Sequence, residues 1–516
     1  MIVSIIRGGE IMRKKATFFL ILFINSIVFM LNPLLVSAEW VMPLEHTHHW
    51  DIGTTPRGFA AIRTADLNDD GRIEIVYIGT TGEFDIIHAV LRVMNWDGSF
   101  LRVRATEQWT LDDTPTRGHR LFCGDLNDDS ESEILTIVKN DFNQSELKVW
   151  RFNGFPGSLS VEAVQTLETP GIQSLAVGDV DGDGETEILI GESATAPPRF
   201  RIRIMRYDGT GFLEEHTENW QIEGVGGSVE GLAIGDIDTD GEVEIIAAVN
   251  AHRQIHIQVM YWDGTVIHQE ISGHWSILDQ TDVHELCLGN LDDDPYLELV
   301  VAGTAMDLGL SSPQFGCLSV WQWDLTDLSM EAQHAWQSTS GNVEFLGCSV
   351  NNINSDDLDE IIIAGPLHEN PAMNILRVYN LVDSDLNAMF SQEWITEGMT
   401  ECFAYTVHSA NVDRDHPVEI LTGGRAVAPG SIDKHELTIW SVWFRVDAPS
   451  WLSWLENILG FRGWPLYLRA RDLIPMPWPI VIYTFVFISL VIVVSWGVIR
   501  LIRLIRKPIS KTPVKH

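Results

Sequence analysis

One short acidic motif recurs seven times along the chain, and this repetition limits the possible folds more than any other feature. The copies, numbered loops 1 to 7, are DLNDDGRIEIV from Asp66, DLNDDSESEIL from Asp125, DVDGDGETEIL from Asp179, DIDTDGEVEII from Asp236, NLDDDPYLELV from Asn290, NINSDDLDEII from Asn352 and NVDRDHPVEIL from Asn411. They start 59, 54, 57, 54, 62 and 59 residues apart. This period fits a four-stranded propeller blade and is longer than helical repeats of about 34 to 45 residues.

Each loop places oxygen-bearing side chains at positions 1, 3, 5 and 9, and loops 1, 3 and 4 have glycine at position 6. A tight turn that points alternate side chains inward gives the spacing that a hard cation needs, and the carbonyl of position 7 can add a ligand. Apolar, β-rich segments flank the loops, unlike the helices of an EF-hand, whose last glutamate comes at position 12.

Calcium is favoured over magnesium because flexible carboxylates can supply six to eight oxygens, whereas magnesium retains several waters. We therefore expect several structural calcium ions. The predicted ligands are Asp66, Asn68, Asp70, Glu74, Asp125, Asn127, Asp129, Glu133, Asp179, Asp181, Asp183, Glu187, Asp236, Asp238, Asp240, Glu244, Asn290, Asp292, Asp294, Glu298, Asn352, Asn354, Asp356, Glu360, Asn411, Asp413, Asp415 and Glu419.

The alternative interpretation of any one acidic loop is a solvated turn, but seven copies at one period argue against it for the set. Loops 5, 6 and 7 are the weaker copies, and the sequence leaves open which of them hold calcium. Loop 6 has only two carboxylates at its ligand positions, Asp356 and Glu360, so an empty loop is the alternative there. Ser130, Pro295 and His416 also replace the glycine of position 6.

The segments VGDVDGDGETEILIGES and IGDIDTDGEVEIIAAVN resemble the FG-GAP and VCBS repeats of integrin alpha-subunit propellers and their microbial relatives. The resemblance extends over about four fifths of the chain, from residue 46 to residue 446. It implies an all-β, seven-bladed β-propeller with calcium in the loops at the ligand positions given above. Position 9 is glutamate here, where the family usually has aspartate.

Two further elements recur in register with the loops. Asp-Gly turns follow Trp96, Tyr207 and Trp262, and Phe152 precedes Asn-Gly, which predicts hairpins between the third and fourth strands of a blade. Tryptophan marks the predicted fourth strand at residues 50, 109, 220, 275, 336 and 394. Because Trp50 precedes loop 1, residues 46–52 are predicted to close the ring as the outer strand of the blade that contains Asn411.

Both ends of the chain carry membrane-targeting patterns. Residues 1–38 combine basic residues, an apolar stretch and Val36-Ser37-Ala38, which predicts a signal peptide, with Met12 as an alternative start and an uncleaved anchor as the alternative role. Residues 479–500 are predicted to form a transmembrane helix, and the basic tail 501–516 places the C-terminus in the cytoplasm. Residues 448–478 are predicted to be an amphipathic juxtamembrane segment, lying in the headgroup region or against the propeller domain 39–447.

The charge of the remaining chain excludes nucleic acid as a partner. Residues 39–450 contain 21 basic and 69 acidic residues, a net charge of -48, whereas binding to phosphates needs clustered lysine and arginine. The five cysteines form no closely spaced framework, and buried free thiols are expected at Cys123, Cys287, Cys348 and Cys402.

No sequence motif of a known catalytic centre occurs in a usable context. The favoured function is a non-enzymatic cell-surface module for binding or adhesion, with an extracellular protein or glycan as its ligand. One alternative is an extracellular propeller enzyme, such as a polysaccharide lyase or a quinoprotein, which would need arginine, histidine, lysine or tyrosine side chains to converge on the ring axis. Another is a passive spacer in the cell envelope, which would have no concave site.

Ligand binding is expected on the face opposite the acidic loops, where the longer loops lie. Basic residues are scarce in this acidic domain, and Arg57, Arg117, His119 and Arg425 stand out there. Together they could bind a carboxylate or sulfate through bidentate hydrogen bonds. The alternative is that each arginine pairs with a nearby acid such as Asp112 or Asp433.

Overall fold

The computed structural model describes residues 38–446 and 466–469, except residues 54–60, 84–85, 143, 155, 170, 196–197, 310–312, 324–326, 339–340, 355, 415–417 and 431. Its secondary structure is made of β-strands. In chain order they are β1 (Ala38–Val41), β2 (Leu44–Gly53), β3 (Ala61–Ala65), β4 (Glu74–Glu83), β5 (Ile86–Trp96), β6 (Leu101–Trp109), β7 (Thr116–Gly124), β8 (Glu133–Asn140), β9 (Gln144–Asn153), β10 (Ser158–Glu168), β11 (Ile172–Gly178), β12 (Glu187–Thr195), β13 (Pro198–Tyr207), β14 (Phe212–Trp220), β15 (Val229–Gly235), β16 (Glu244–Ala251), β17 (Gln254–Trp262), β18 (Ile267–Trp275), β19 (Gln280–Gly289), β20 (Glu298–Met306), β21 (Gln314–Trp323), β22 (Leu328–Trp336), β23 (Asn342–Val343), β24 (Gly347–Asn351), β25 (Glu360–His368), β26 (Met373–Val382), β27 (Asp385–Trp394), β28 (Glu401–Ala410), β29 (Glu419–Ala428), β30 (Ile432–Ser441), β31 (Trp443–Val446) and β32 (Leu466–Arg469).

Residues 42–442 form one compact unit, a seven-bladed propeller. Blades 1 to 5 each consist of four consecutive antiparallel strands, from β3–β6 to β19–β22. Blade 6 contains β23–β27, and its innermost strand is interrupted between β23 and β24. Blade 7 contains β28, β29, β30 and β2. The innermost strands of successive blades contact one another, and β28 contacts β3, so the ring is closed.

The ring closes as the sequence predicts. Strand β2 pairs with β30, with His46 opposite Ile439 and Trp50 opposite His435, so the N-terminal strand is the outer strand of blade 7. The Trp50 ring then meets the Tyr77 ring of blade 1 edge-on, with centroids 4.8 Å apart. This closure leaves no unpaired edge at the seam between the first and last blades.

The core lies between neighbouring blades and is built from apolar side chains of their strands. The second strand of each blade is buried on both faces, as in EILTIVKN of β8 and ELVVAGTAM of β20. Fourth strands such as β6 and β14 carry exposed charged residues between apolar ones. Burying one Ile or Leu side chain contributes about 1.5–3 kcal/mol relative to exposure, so these sheet-on-sheet contacts dominate the stability of the ring.

Strands β1, β31 and β32 form a separate three-stranded antiparallel sheet, which belongs to a second compact unit. Strand β32 falls within the predicted juxtamembrane segment. The predicted transmembrane helix, the cytoplasmic tail and all but the last residue of the predicted signal peptide lie outside the described residues. Among the described residues, no helix has the length and apolar character needed to cross a bilayer.

The predicted turns are confirmed, and the prediction for the cysteines is confirmed in part. The Asp-Gly turns connect the third and fourth strands of their blades, as between β17 and β18. All five cysteines are free thiols. Of the four expected to be buried, Cys348 and Cys402 are buried, whereas Cys123 and Cys287 are partly exposed.

Candidate metal loops and axial cavity

One hydrogen bond is common to all seven acidic loops. The position-9 glutamate is the first residue of the second strand of its blade, and its Oε2 atom accepts the backbone N–H of position 2. The donor-to-acceptor distances in loops 1 to 7 are 2.9, 3.0, 2.9, 2.9, 2.5, 3.0 and 2.9 Å. This bond closes each loop and leaves Oε1 as the atom that distinguishes one loop from another.

The acidic side chains also shape the turn before any cation is considered. In loop 4, Asp236 Oδ2 accepts the N–H of Gly241 at 3.2 Å, and Asp238 Oδ1 accepts the N–H of Asp240 at 3.1 Å. Gly241 has a φ of 94°, in the left-handed region that glycine adopts without steric cost. Ser130 occupies the same position of loop 2 with a φ of 72°, so that loop carries backbone strain.

Loops 3, 4 and 5 each bring three carboxylates together, with one oxygen from every residue within 4.8 Å of the others. The three sets are Asp179, Asp181 and Glu187; Asp236, Asp238 and Glu244; and Asp292, Asp294 and Glu298. Two oxygens in these sets, Asp236 Oδ1 and Glu298 Oε1, are buried without a hydrogen-bond partner within the described part of the chain. Buried, unpartnered carboxylate oxygens at this spacing fit a hard cation, and calcium accepts such ligands.

In loops 1, 2 and 6, other side chains donate hydrogen bonds to the Oε1 atom of the position-9 glutamate. Asn68 and Asn95 donate to Glu74 Oε1 at 3.1 and 2.7 Å in loop 1. Arg151 donates to Glu133 Oε1 at 3.0 Å in loop 2, and Asn354 donates to Glu360 Oε1 in loop 6. In these loops, amide or guanidinium hydrogens already satisfy the atom that would otherwise face a cation.

Loop 7 is described only in part, because Asp415 lies outside the described residues. Its Glu419 Oε1 is buried, and no hydrogen-bond partner for it is found in the described ranges.

The position-9 glutamates have raised pKa values, and burial is the main cause. Burial, followed by repulsion from nearby carboxylates, raises the pKa of Glu187, Glu244 and Glu298 to about 8. The same causes raise the pKa of Glu133 to about 7. A bound divalent cation would favour the ionised form of these side chains, since an opposite charge within a few ångströms lowers a carboxyl pKa.

The loops and the Asp-Gly turns lie on one face of the ring. A Cβ atom added to Gly264, in the turn of blade 4, would lie 3.1 Å from Asp181 Oδ2 of loop 3. Gly209 stands in the same relation to Asn127 of loop 2, at 3.1 Å from its Nδ2 atom. Each of these turns therefore packs against ligand position 3 of the preceding blade.

The predicted ligand-binding residues have partners of their own. Arg117 forms an ion pair with Asp141, and Arg425 donates from Nε and a terminal nitrogen to Asp433 Oδ1 at 3.0 and 2.8 Å. His119 is buried and its Nε2 atom contacts the carbonyl oxygen of Ile172. Arg57 lies outside the described residues. The acid pairing named as the alternative thus holds for Arg425, and Asp141 rather than Asp112 is the partner of Arg117.

The structure also contains an axial cavity of about 400 Å³ that the sequence analysis did not identify. A β-bulge interrupts the innermost strand of five blades at equivalent places, and the bulged residue lines the cavity. These residues are His119, Gln173, Glu230, His284 and Tyr405. Bulges re-aim side chains and are common next to functional sites.

Glycines on the second strands make room for these bulges. A Cβ atom at Gly303 would lie 2.1 Å from the carbonyl oxygen of Asp282, and one at Gly424 would lie 1.9 Å from that of Phe403. Only glycine permits so close an approach of backbone.

The sequence does contain a signal for these bulged residues. The five bulged residues all stand six positions before position 1 of their loops. They differ from blade to blade, while the residues nearer the loops remain mostly apolar. A polar, variable position inside an otherwise regular repeat indicates a site that is not needed for packing.

Comparison with known proteins agrees with the repeat. Residues 125–190, which contain loops 2 and 3, match the family model of the FG-GAP-like repeat. No curated protein shows significant sequence similarity to the chain.

Several solved structures are similar in fold at low sequence identity. The C-terminal WD40 domain of Sif2 is 11% identical with a TM-score of 0.41, and the match covers 77% of this chain and 98% of that one. Sqt1 of Saccharomyces cerevisiae is 10% identical with a TM-score of 0.41, covering 79% and 98%. The Bacillus licheniformis rhamnogalacturonan lyase PL11 is 14% identical with a TM-score of 0.33, covering 79% and 89%. These likenesses are too distant to carry an argument about function.

Proposed function

We propose that this seven-bladed propeller, which carries an FG-GAP-like repeat at residues 125–190, is a calcium-stabilised binding or adhesion module held at the cell surface by its C-terminal segment. The observation that carries the proposal is the convergence of three carboxylates in each of loops 3, 4 and 5. Without a cation, every one of these sets holds like charges close together, which opposes folding.

Calcium would be held by loops 3, 4 and 5 through side chains of positions 1, 3, 5 and 9. Its contribution is to neutralise the carboxylates and to tie position 1 of each loop to the second strand of the blade. The resulting rigid face would hold the seven blades in register and leave the opposite face for recognition. An extracellular protein or glycan is the proposed ligand, and a bilayer anchor at residues 479–500 follows from the hydropathy of that segment.

The prediction that Arg57, Arg117, His119 and Arg425 contribute to ligand binding stays part of this proposal. The pairing of Arg117 with Asp141 and of Arg425 with Asp433 limits the free donors that they offer. Tyr405 lines the axial cavity and interacts with Arg425. Arg425 is therefore connected to the cavity through Tyr405.

The extracellular enzyme is kept as a second candidate because of one observation. It requires arginine, histidine, lysine or tyrosine side chains on the ring axis, and Arg63, Arg120, His284 and Tyr405 do line the axial cavity. A passive spacer is disfavoured by the same cavity, since it would need no concave site.

The test is to measure thermal unfolding and ligand capture by the full chain with calcium and with a chelator. Calcium should raise the melting temperature, and a glycan and cell-surface protein array should show calcium-dependent capture without change to the captured material. Equal melting curves under both conditions would remove the calcium proposal. Turnover of an arrayed glycan would favour the enzyme over the binding module.

A further inference from the structure

The axial cavity separates positive from negative side chains across the ring. Arg63 of blade 1 and Arg120 of blade 2 line one side, and Glu230, Glu285 and Glu344 of blades 4, 5 and 6 line the other. In a closed ring of seven blades, these two groups lie on opposite sides of the axis. A small molecule in the cavity would therefore meet cations at one end and anions at the other.

Other residues compensate part of the negative charge: His368 Nε2 lies 3.5 Å from Glu344 Oε1, and Lys139 acts electrostatically on Glu230. Within the described ranges, the arginines themselves are not paired directly with the glutamates across the cavity. No ion pair among the described residues joins Glu230 or Glu285 to either arginine, although both glutamates act electrostatically on Arg120. The hydrogen bonds described for the guanidinium groups go from Arg63 to the carbonyl of Ile62 and from Arg120 to that of His119, at 2.8 and 3.3 Å. Each guanidinium has five N–H donors, so most of them remain available for a ligand.

The remaining wall of the cavity includes apolar surface. Leu121, Leu175 and Leu232, on three neighbouring blades, line it beside the charged groups. Such a combination of an apolar wall with a few convergent polar groups is typical of small-molecule sites, which usually measure about 300–1,000 Å³.

We propose that the axial cavity binds a small zwitterion with an apolar side chain, either a free α-amino acid or a short peptide. Its carboxylate is bound by Arg63 and Arg120, its ammonium group by Glu230 and Glu285, and its side chain contacts the leucines. A simple anion would be repelled by the glutamates, and a simple cation by the arginines. A neutral sugar would leave both sets of charges desolvated without a partner. The inference does not depend on the surface capture proposed above, although His119, one of the residues predicted for that capture, also lines the cavity.

The decisive experiment uses the full chain in saturating calcium and a matched series of ligands in isothermal titration calorimetry. L-leucine and L-leucyl-glycine are zwitterions, N-acetyl-L-leucine is an anion, L-leucinamide is a cation and N-acetyl-L-leucinamide is neutral. At least one zwitterion should bind, and each capped form should bind about tenfold more weakly or not at all, because it loses one charge-assisted contact. Binding of L-leucine alone or of L-leucyl-glycine decides between the amino acid and the peptide.

Substitutions in the cavity test which residues bind the carboxylate and which bind the ammonium group of the ligand. Arg120→Gln and Glu285→Gln should each weaken binding of the zwitterion about tenfold or more. Arg102→Gln, which changes an exposed arginine paired with Asp97 at 3.0 Å, should leave binding unchanged. Failure of both zwitterions to bind, or equal binding of zwitterion and capped forms, would overturn the proposal on the unaltered chain, whether or not the variants fold. Binding that survives both cavity substitutions would overturn it as well.

Discussion

Loops 2 and 4 have nearly the same backbone and hydrogen bonds, but of the two only loop 2 pairs its position-9 glutamate with an arginine in the described part of the chain. In loop 4, Glu244 converges with Asp236 and Asp238, and Asp236 Oδ1 is buried with no partner described. In loop 2, Arg151 contacts Asp129 at 3.6 Å and Glu133 at 3.0 Å, and it also pairs with Glu131. The repeat thus specifies an acidic turn. In loop 2 the compensating charge comes from Arg151 on a neighbouring strand, whereas in loop 4 the proposed calcium would supply it.

The largest effect is expected from removing a ligand of a converged loop. Asp238→Ala in loop 4 and Asp181→Ala in loop 3 should each lower the number of bound calcium ions by one. At a free calcium concentration 100-fold above Kd, one site contributes about 2.7 kcal/mol to stability, so each variant should lose up to that amount. Calcium counting by mass spectrometry and denaturant unfolding would measure the two effects.

Asn354→Ala is the matched control because it changes the same ligand position in loop 6. Asn354 already donates to Asp356 Oδ2 at 2.8 Å and to Glu360, so a loss of hydrogen bonds is expected without any loss of calcium. The distinction between the two kinds of loop fails if Asn354→Ala releases as much calcium as Asp238→Ala.

The next largest effect is expected from removing the positive charge of Arg151, which pairs with the acidic residues of loop 2. Arg151→Gln leaves Asp129, Glu131 and Glu133 without their counter-charge, and the side chain is a quarter exposed. In chelator, the variant should lose about 1–3 kcal/mol of stability, less than for a fully buried pair. In calcium, part of this loss should be recovered and the number of bound ions should rise by one, because the loop then resembles loop 4.

Arg206→Gln provides the control in loop 3. Arg206 lies opposite Glu187 in the register of β12 and β13, yet it pairs with Glu185 and Glu215 instead of the position-9 glutamate. Its substitution should leave the calcium count unchanged. If both arginine variants gain an ion, or neither does, the role assigned to Arg151 is wrong.

The motif alone predicts the seven blades, their closure and the turn geometry, because these depend on spacing and on local backbone preferences. It marks loops 5, 6 and 7 as weaker copies, but it does not separate loops 1 and 2 from loops 3 and 4 as candidate metal sites. Loop 1 has glycine at position 6, yet Asn95 from the third strand occupies Glu74 Oε1. Loop 5 has Pro295 at that position and still converges. In loops 1 and 2, contacts from Asn95 and Arg151 come from about 20 positions away in the chain, and no local pattern specifies the directions of those side chains. In loop 6 the contact comes from Asn354 within the motif itself.

A smaller effect is expected from pH. In metal-free protein, the pKa of Glu187, Glu244 and Glu298 is raised from the ordinary 4.5 to about 8. Between those values the folded state holds protons that the unfolded chain has released, so the stability of the metal-free protein falls as pH rises. The proposed calcium would displace these protons, so its binding should become stronger as pH rises.

The gap in melting temperature between calcium and chelator should therefore widen from pH 5.5 to pH 8, measured at fixed free calcium. Glu244→Gln would serve as the control, since an amide has no proton to release, and its gap should change less over this range. A gap that is constant or narrows in the unaltered chain would contradict the assignment of these glutamates to the cation sites.

The smallest effect is expected from the turn of loop 2 itself. Ser130 has a φ of 72°, where loop 4 has Gly241 with a φ of 94°. Ser130→Gly should relieve the strain of the left-handed conformation, but glycine also adds entropy to the unfolded chain, so the net gain should be at most about 1 kcal/mol. The matched exchange, Gly241→Ser in loop 4, should cost a similar amount. Because Arg151 remains in place, Ser130→Gly should leave the calcium count unchanged in a denaturant and metal-counting experiment, and a gain of one ion would show that the turn residue, rather than the arginine, keeps calcium out of loop 2.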